Sequence, residues 1–255
     1  MERNQYKVVP GEDVPAPKAS GVDAQTVTFV LSLVVQLGVL IFSLVTLRRG
    51  SLPSVLMLVL VLETVVQGLE FLWYLGLAIA LLCDRKLSVG VWVRYLDWAF
   101  TTPVMLITLY FFLIYLDENC TTLPQLRAEP HFAGFLALIV LFDWLMLFLG
   151  FMYERDLFGV RDGKYKQWPL LAGFVPLVVA FTPHIYTLAH SYTGIGLASV
   201  IITFFLWSIY GIISICYFDD SKARNAAFNI LDLASKNAAG IVVSIVAINF
   251  DSDSC

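Results

Sequence analysis

Seven long apolar runs constrain the fold of this chain more than any other feature. Each run reaches about 20 residues, the length that an α-helix needs to cross the hydrocarbon core of a bilayer. Backbone groups in lipid must be hydrogen-bonded within the protein, so we expect each run to form a helix. We therefore predict an all-α membrane protein, a bundle of seven transmembrane helices, with spans at roughly 24–47, 54–82, 91–116, 132–153, 168–189, 195–217 and 225–249.

The composition supports this class and leaves little chain for a second domain. Of the 255 residues, 59% are hydrophobic and 14% are charged, whereas soluble domains carry about 25% charged residues. We divide the chain into a polar N-terminal segment at 1–23, a seven-helix domain at 24–249 and a short tail at 250–255. We expect an integral, multi-pass membrane protein whose partner is the lipid bilayer, with no nucleic-acid partner and with homo-oligomers permitted. The four cysteines lack metal-ligand spacing, so no metal site is predicted.

A lysine in the middle of the last apolar run is the most informative polar residue. Lys236 lies in the segment AAFNILDLASKNAAGIVVSIVAI, and Asp232 precedes it by one helical turn. A charged side chain at the centre of a membrane helix costs about 3 kcal/mol even on permissive insertion scales. A lysine amine condenses with an aldehyde to form a Schiff base, and the protonated form needs a nearby carboxylate. Asp232, at i−4, is one such partner; a structural salt bridge between helices is the alternative.

The third span carries a second set of polar residues, in the segment RYLDWAFTTPVMLITL. Asp97 and Thr101 are four residues apart and share a helix face. Asp97 and Asp232, together with Arg94 and a cationic Lys236, would form a self-neutralising cluster. Two other interpretations remain open. Arg94 near the end of the span can snorkel to the interface, and the threonines can bond the carbonyl four residues earlier.

The second span bears three polar residues on one helix face. Glu63, Gln67 and Glu70, in VLETVVQGLEFLW, recur at i, i+4 and i+7 and so form one stripe. This stripe belongs in the bundle interior or beside a water-filled crevice, although neutral glutamic acids bonded between helices give the same pattern. Asp143 lies near the middle of the fourth span. Four aromatic residues also lie inside spans, where they either clamp a flat apolar ligand or serve as packing: Trp98, Trp144, Trp207 and Tyr210.

Taken together, these motifs resemble those of the microbial rhodopsins. RYLDWAFTTP in the third span, WSIY in the sixth and LDLASK in the seventh look like that family's signatures, in the same order. The resemblance covers residues 24–249. It implies that Lys236 carries all-trans retinal as a protonated Schiff base, with Asp97 as primary counterion and proton acceptor and Asp232 as second counterion. It also implies that Arg94 is the gating arginine and that Thr101 is bonded to Asp97.

The same resemblance implies a set of pocket residues and several departures from the family pattern. Retinal would be lined by Trp98, Thr102, Trp207 and Tyr210, with Ser214 in place of a usual tryptophan and Ser235 beside the lysine. Outward proton pumps usually carry an internal donor carboxylate where this chain has Thr108, and a release glutamate where it has Arg224. A threonine cannot donate a proton usefully near neutral pH. Chloride pumps generally lack the acidic counterion that Asp97 supplies, so both kinds of pump are disfavoured.

The stripe on the second span resembles that of cation-conducting channelrhodopsins. Together with two asparagines of the seventh span, it looks closest to the group-1 viral rhodopsins of giant algal viruses: Glu63, Gln67, Glu70, Asn229 and Asn237. Carboxylates and amides in a row replace part of a cation's hydration shell. Thr102 and Asp143 also resemble the channelrhodopsin gate between the third and fourth helices, with threonine where cysteine is usual.

The resemblance therefore implies a non-enzymatic, light-gated channel for monovalent cations or protons, inhibited by calcium and located in the host cell membrane if the protein is viral. A slow outward proton pump without an internal donor is the alternative. A photosensor that acts through a partner protein is a further alternative. The orientation in the membrane stays open, because the family orientation conflicts with the positive-inside tendency of the basic residues.

Overall fold

The computed structural model describes residues 24–48, 52–83, 93–117, 122–128, 131–157, 167–190, 193–216 and 221–250. The predicted N-terminal segment at 1–23 and tail residues 251–255 lie outside this set. The described residues form nine α-helices: α1 (Ala24–Leu47), α2 (Ser54–Cys83), α3 (Arg94–Asp117), α4 (Leu123–Ala128), α5 (Phe132–Glu154), α6 (Trp168–Ala180), α7 (Thr182–His190), α8 (Gly194–Cys216) and α9 (Ser221–Ile248).

Seven helical stretches among the described residues are long and apolar enough to cross a membrane. This confirms the predicted all-α, seven-helix class. The span boundaries agree within a few residues, the largest difference being that α9 begins at Ser221 rather than at residue 225. The short helix α4 lies in the connection between the third and fourth spans, where no helix was predicted.

The fifth span is interrupted at Phe181, where the sequence predicted one continuous helix. Pro183 has no amide hydrogen, and its ring crowds the carbonyl group four residues earlier. The amide of Phe181 still donates to the carbonyl oxygens of Leu177 and Val178, at 3.3 and 3.2 Å. Backbone hydrogen bonds therefore join α6 to α7, and the two helices together make one span, Trp168–His190.

The spans pack as a closed ring. α1 contacts α2 and α9, α2 contacts α3, α3 contacts α5, α5 contacts α6, and α8 contacts both α6 and α9. α3 is the most enclosed span, since 67% of its apolar window is buried against 17% for α5 and α8. Side chains of α3 therefore point into the bundle on most of its faces, whereas most of α5 and α8 faces the lipid.

One end of the bundle interior is filled by apolar side chains. We call it the Asp117 end, because α3 finishes there, and we call the opposite end the Arg94 end. The filling comes from α2, α3 and α9, which contribute Val59, Leu60, Leu106, Val243 and Ala247, all nearly or fully buried. We call these five residues the apolar plug. The buried charged side chains lie in the middle of the bundle and at its Arg94 end, whereas the buried polar residues toward the Asp117 end are uncharged at neutral pH, among them Ser43, Thr108 and Ser244.

Candidate functional site

Lys236 is buried in the middle of α9, and two carboxylates from other helices hold its ammonium group. Lys236 Nζ donates to Asp97 Oδ2 of α3 at 2.6 Å and to Glu70 Oε2 of α2. The other carboxylate oxygen of Glu70 accepts a hydrogen bond from Gln36 Nε2 of α1 at 3.1 Å. Because Lys236 is 1% exposed, these contacts supply the charge compensation that a buried ammonium requires.

Asp232, which the sequence placed beside the lysine, is occupied by four other donors. Its Oδ2 accepts from Arg94 Nη1 at 2.7 Å and from the Tyr74 hydroxyl at 2.9 Å. Its Oδ1 accepts from the Tyr210 hydroxyl at 2.7 Å and from Trp98 Nε1 at 3.2 Å. A buried guanidinium needs an anion, and Asp232 satisfies that need. Asp232 therefore ties α2, α3 and α8 to α9, while Glu70 takes the place expected for it at the lysine.

Arg94 does not snorkel to the interface, because it is 8% exposed and points into the bundle. Besides its salt bridge, it donates to the side-chain oxygens of Asn225 and Asn229. Asn229 also donates to Thr28 Oγ1 at 2.9 Å, and its carbonyl accepts from Ser32 at 3.1 Å. Asn229, predicted for an ion pathway, thus belongs to a polar cluster at the Arg94 end.

A cavity of about 100 Å³ extends from Lys236 between α3, α5, α6, α8 and α9. Its lining includes every residue predicted for the retinal pocket: Trp98, Thr102, Trp207, Tyr210, Ser214, Ser235 and Lys236. The rings of Trp98 and Tyr210 meet edge to face with centroids 5.2 Å apart. The amine of Lys236 thus lies at the wall of a cavity whose other lining residues are mostly apolar and aromatic. There it can bond covalently to an apolar aldehyde.

Trp144, by contrast, is not part of this cavity. It is 49% exposed, and its indole nitrogen donates to the carbonyl oxygen of Ala99 at 2.9 Å. Of the two roles that the sequence left open for the aromatic residues, a ligand clamp does not apply to Trp144, which is absent from the cavity lining. Asp143, the residue before Trp144, marks the inward side of this span, and Trp144 lies about 100° round the helix from it.

Thr102 and Asp143 meet between α3 and α5, as the resemblance implied. Thr102 Oγ1 lies 2.8 Å from Asp143 Oδ2 and 2.8 Å from the carbonyl oxygen of Trp98. Asp143 is fully buried. Thr101 differs from the expectation, because its hydroxyl donates to the backbone carbonyl of Asp97 at 3.1 Å rather than to the carboxylate. This is the local helix bond that threonine commonly forms.

Three buried polar stripes face one another between α1, α2 and α9. They run along one side of each helix and comprise Ser32, Gln36 and Ser43 of α1; Glu63, Gln67, Glu70 and Tyr74 of α2; and Asn229, Asp232, Lys236 and Ser244 of α9. Gln67 Nε2 donates to the Lys236 carbonyl at 2.7 Å, and the hydroxyls of Ser43 and Ser244 are 3.3 Å apart. We call these stripes together the polar column.

Four acceptor oxygens in or beside the polar column have no hydrogen-bond donor among the residues that the structure describes. They are Gln36 Oε1, Glu63 Oε2, Gln67 Oε1 and Asn237 Oδ1, and all are buried. Buried acceptors without a protein donor are rare and require water or an ion. The column therefore has places for water or cations that the packed side chains alone do not satisfy.

Several members of the column were not among the residues predicted for the site. Tyr74 is four residues after Glu70 and simply continues the stripe on α2, so helical spacing alone would have found it. Gln36 and Ser43 are polar residues inside the first apolar run. Ser32, Gln36 and Ser43 recur at i, i+4 and i+11 and so share one face of the first span. The face-sharing criterion that identified the stripe on the second span would also have identified these residues.

Comparisons with known proteins agree with this architecture. The family model for bacteriorhodopsin-like proteins matches residues 23–250. Acetabularia rhodopsin I is 24% identical, with a TM-score of 0.63 over 89% of this chain and 92% of that chain. The thermophilic rhodopsin from Rubrobacter xylanophilus is 19% identical, with a TM-score of 0.67 over 88% and 96%. The proton-pumping rhodopsin AR2 from the alga Acetabularia acetabulum is 14% identical, with a TM-score of 0.63 over 89% and 96%. No curated protein sequence matched this chain.

At these identities the solved structures show a shared fold. The family match carries the assignment, because it extends over all seven spans. This chain is an integral, multi-pass membrane protein and belongs to the bacteriorhodopsin-like family, the microbial rhodopsins.

Proposed function

We propose that the protein is a retinal-binding photoreceptor that acts as a light-gated cation channel. Retinal fits the residues present, because the Lys236 amine opens onto a cavity walled by Trp98, Trp207 and Tyr210. The carboxylates of Asp97 and Glu70 contact the Lys236 nitrogen and would neutralise a cationic Schiff base at that position. Bound there, retinal would supply a light-driven change of shape, and the protein would convert it into movement of protons and helices.

The observation that carries the channel proposal is the polar column between α1, α2 and α9. Its four acceptor oxygens without protein donors are groups of the kind that replace a cation's hydration shell and repel anions. Glu70 belongs both to this column and to the ion pair with Lys236. A change at the lysine is therefore transmitted directly to the column.

The apolar plug explains why such a channel would be closed in the dark. Beyond Glu63, toward the Asp117 end, α2 presents Val59 and Leu60, which belong to the same apolar cluster as Val243 and Ala247 of α9. Water and cations do not pass a dry apolar constriction readily. Conduction then requires α2 and α9 to separate at the plug, which is a change between two packed states.

Light would start this change by altering the charge balance around Lys236. Movement of the lysine nitrogen, or transfer of its proton to Asp97 or Glu70, breaks contacts that now join α9 to α2 and α3. Glu70, which already accepts a hydrogen bond from Gln36, would then be free to turn toward Gln67 in the column. The loss of the Lys236–Glu70 ion pair weakens the contact between α2 and α9 and favours opening of the plug.

The likeness to group-1 viral rhodopsins and the inhibition by calcium belong to the same proposal. Glu63 and Glu70 lie on one face of α2, and both are buried. Calcium prefers carboxylate and carbonyl oxygens, so it would bind this face of α2 more tightly than a monovalent cation does. Bound calcium would then slow the passage of monovalent cations. This supports block by calcium at the Glu63 position.

The experiment is a whole-cell recording under light, with the membrane voltage stepped and the outer cation concentration changed. We expect a current whose reversal voltage follows the cation gradient. Glu63→Gln should reduce this current or change its selectivity. The matched control is Asp117→Asn, which neutralises an exposed carboxylate at the end of α3 and should leave both properties unchanged. A current that stays outward at every voltage contradicts the channel, and a coloured protein without current supports a sensor.

A light-driven outward proton pump is the second candidate, supported by the short contact between Lys236 and the acceptor Asp97. The fold is also that of a protein described as proton-pumping. Thr108 weighs against efficient pumping, because it is buried and its hydroxyl donates to the Val104 carbonyl at 2.8 Å. A pump would lose its current in Asp97→Asn and would keep it in Glu63→Gln.

Gly240 offers a steric test of the column. A Cβ atom at this position would lie 3.0 Å from Gln67 Nε2 and 3.4 Å from Val39 Cγ1. In Gly240→Ala the Gln67 amide must therefore shift by a few tenths of an ångström, which disturbs its hydrogen bond to the Lys236 carbonyl. We expect the photocurrent to fall severalfold while the pigment keeps its colour. Gly38→Ala is the matched control, since no atom lies within 4 Å of its added Cβ and it gains the same helix propensity. Equal currents in both variants would argue against this path.

A further inference from the structure

A buried ion pair joins two helices that are not neighbours in the ring. Arg224 Nη2, in the first turn of α9, lies 3.1 Å from Glu154 Oε2 at the end of α5. The two side chains are only 5% and 3% exposed. The proposed function makes no use of this pair.

The pair lies directly beyond the cavity, at its Arg94 end. Gly150 of α5 and Phe228 of α9 both line the cavity. Glu154 follows Gly150 by one helical turn and Arg224 precedes Phe228 by one turn, so each charged residue shares a helix face with a residue of the cavity wall. The ion pair is therefore the next layer outward from that wall.

Tyr95 fills the space between α3 and α5 in the same layer of the wall. Its hydroxyl would lie 2.6 Å from a Cβ atom built on Gly150, so the phenol rests against the bare backbone of α5. Its ring also meets Trp98 edge to face, with centroids 5.0 Å apart. A shift of α5 away from α9 would release this phenol and open the cavity wall beside Trp98.

The guanidinium of Arg224 depends on Glu154 for its charge compensation. Arg224 Nε and Nη1 have no hydrogen-bond partner among the described residues, so the contact with Glu154 carries the compensation of this guanidinium. A buried charge that loses its partner is strongly destabilising where it stands. Neutralising one member should therefore draw water into this layer to solvate the other.

We propose that Glu154 and Arg224 are positioning residues that form an ion-pair seal, which holds Tyr95 in the wall and closes the Arg94 end of the retinal cavity to water. Water and ions then approach Lys236 along the polar column rather than through the cavity. The inference rests on the proposed binding of retinal at Lys236 and is independent of channel activity.

The test uses hydroxylamine, a small water-soluble nucleophile, on the full-length pigment in the dark. Its nitrogen replaces the lysine nitrogen at the retinal carbon, giving retinal oxime and a free lysine amine, and the visible absorbance disappears. Glu154→Gln and Arg224→Gln should each bleach at least about tenfold faster than the wild type, because the remaining buried charge admits water. The doubly exchanged Glu154→Arg/Arg224→Glu variant and the charge-keeping Arg224→Lys variant should bleach at rates close to the wild type.

Parallel samples without hydroxylamine measure how fast each pigment loses colour by unfolding alone. They distinguish faster entry of the reagent from lower stability of the variant. The seal is overturned if the single variants bleach at the wild-type rate, or if they lose colour equally fast without the reagent. It is also overturned if Arg224→Lys bleaches as fast as Arg224→Gln. Arg155→Gln, which removes the exposed charge next to Glu154, is the matched control and should match the wild type. A wild type that forms no pigment with retinal overturns the proposed function itself, and the seal with it.

Discussion

A Lys236→Ala variant is expected to form no visible pigment when all-trans retinal is added. Lys236 is the amine that opens onto the cavity, and alanine cannot form a covalent bond to an aldehyde. The measurement is the visible absorbance of purified protein after retinal addition, beside a wild type handled in the same way. A coloured Lys236→Ala protein would contradict retinal attachment at this residue.

The same substitution is expected to destabilise the protein before any retinal is added. Glu70 and Asp97 would lose the ammonium group that both now contact, leaving buried carboxylates uncompensated. Removing one partner of a buried ion pair typically costs about 3–5 kcal/mol. We therefore expect a lower yield of folded protein and a lower Tm for the detergent-solubilised apoprotein.

A double variant separates the loss of colour from the loss of stability. Lys236→Ala/Glu70→Gln removes one of the two stranded charges and should regain part of the Tm that Lys236→Ala loses, yet it should remain colourless. If the double variant is no more stable than the single one, then Glu70 does not compensate Lys236. That result would also remove the link between the lysine and the polar column.

Hydropathy predicted the seven spans well because burial in lipid depends on the composition of each run rather than on its partners. It could not predict the break at Phe181, which arises from proline chemistry inside an apolar run. Nor could it reveal how far each helix is rotated about its axis. Trp144 shows this, because Asp143 marks one inward position in its span but not how far round the helix the inward face extends.

The structure brings Arg94, Asp97, Asp232 and Lys236 into one region, but their pairing could not be predicted from spacing. Asp232 and Lys236 are one turn apart on the same helix, and that offset suggested a pair. In the structure, residues from other helices pair with both charges of α9. Arg94 of α3 binds Asp232, and Glu70 of α2 binds Lys236. Spacing along one helix constrains a face, whereas pairing depends on which neighbouring helix presents the better-placed opposite charge.

The second large effect is expected at Asp232, which accepts hydrogen bonds from Arg94, Tyr74, Tyr210 and Trp98. Asp232→Asn removes the only negative charge that contacts Arg94 among the described residues. Arg94 is buried, so its uncompensated charge should lower the free energy of unfolding by about 3–5 kcal/mol. The measurement is the Tm of the detergent-solubilised pigment, followed by its visible absorbance.

Two further variants decide whether the charge or the hydrogen bonds of Asp232 matter more. Arg94→Gln/Asp232→Asn removes both charges while keeping amide groups of similar size, and we expect it to be more stable than Asp232→Asn alone. Asp117→Asn, at an exposed position, should change stability by no more than about 0.5 kcal/mol. If the double variant is as unstable as Asp232→Asn, the ion pair with Arg94 is not the main contribution of Asp232 to stability. The hydroxyl and indole donors of Tyr74, Tyr210 and Trp98 would then be what makes Asp232 the junction of four helices.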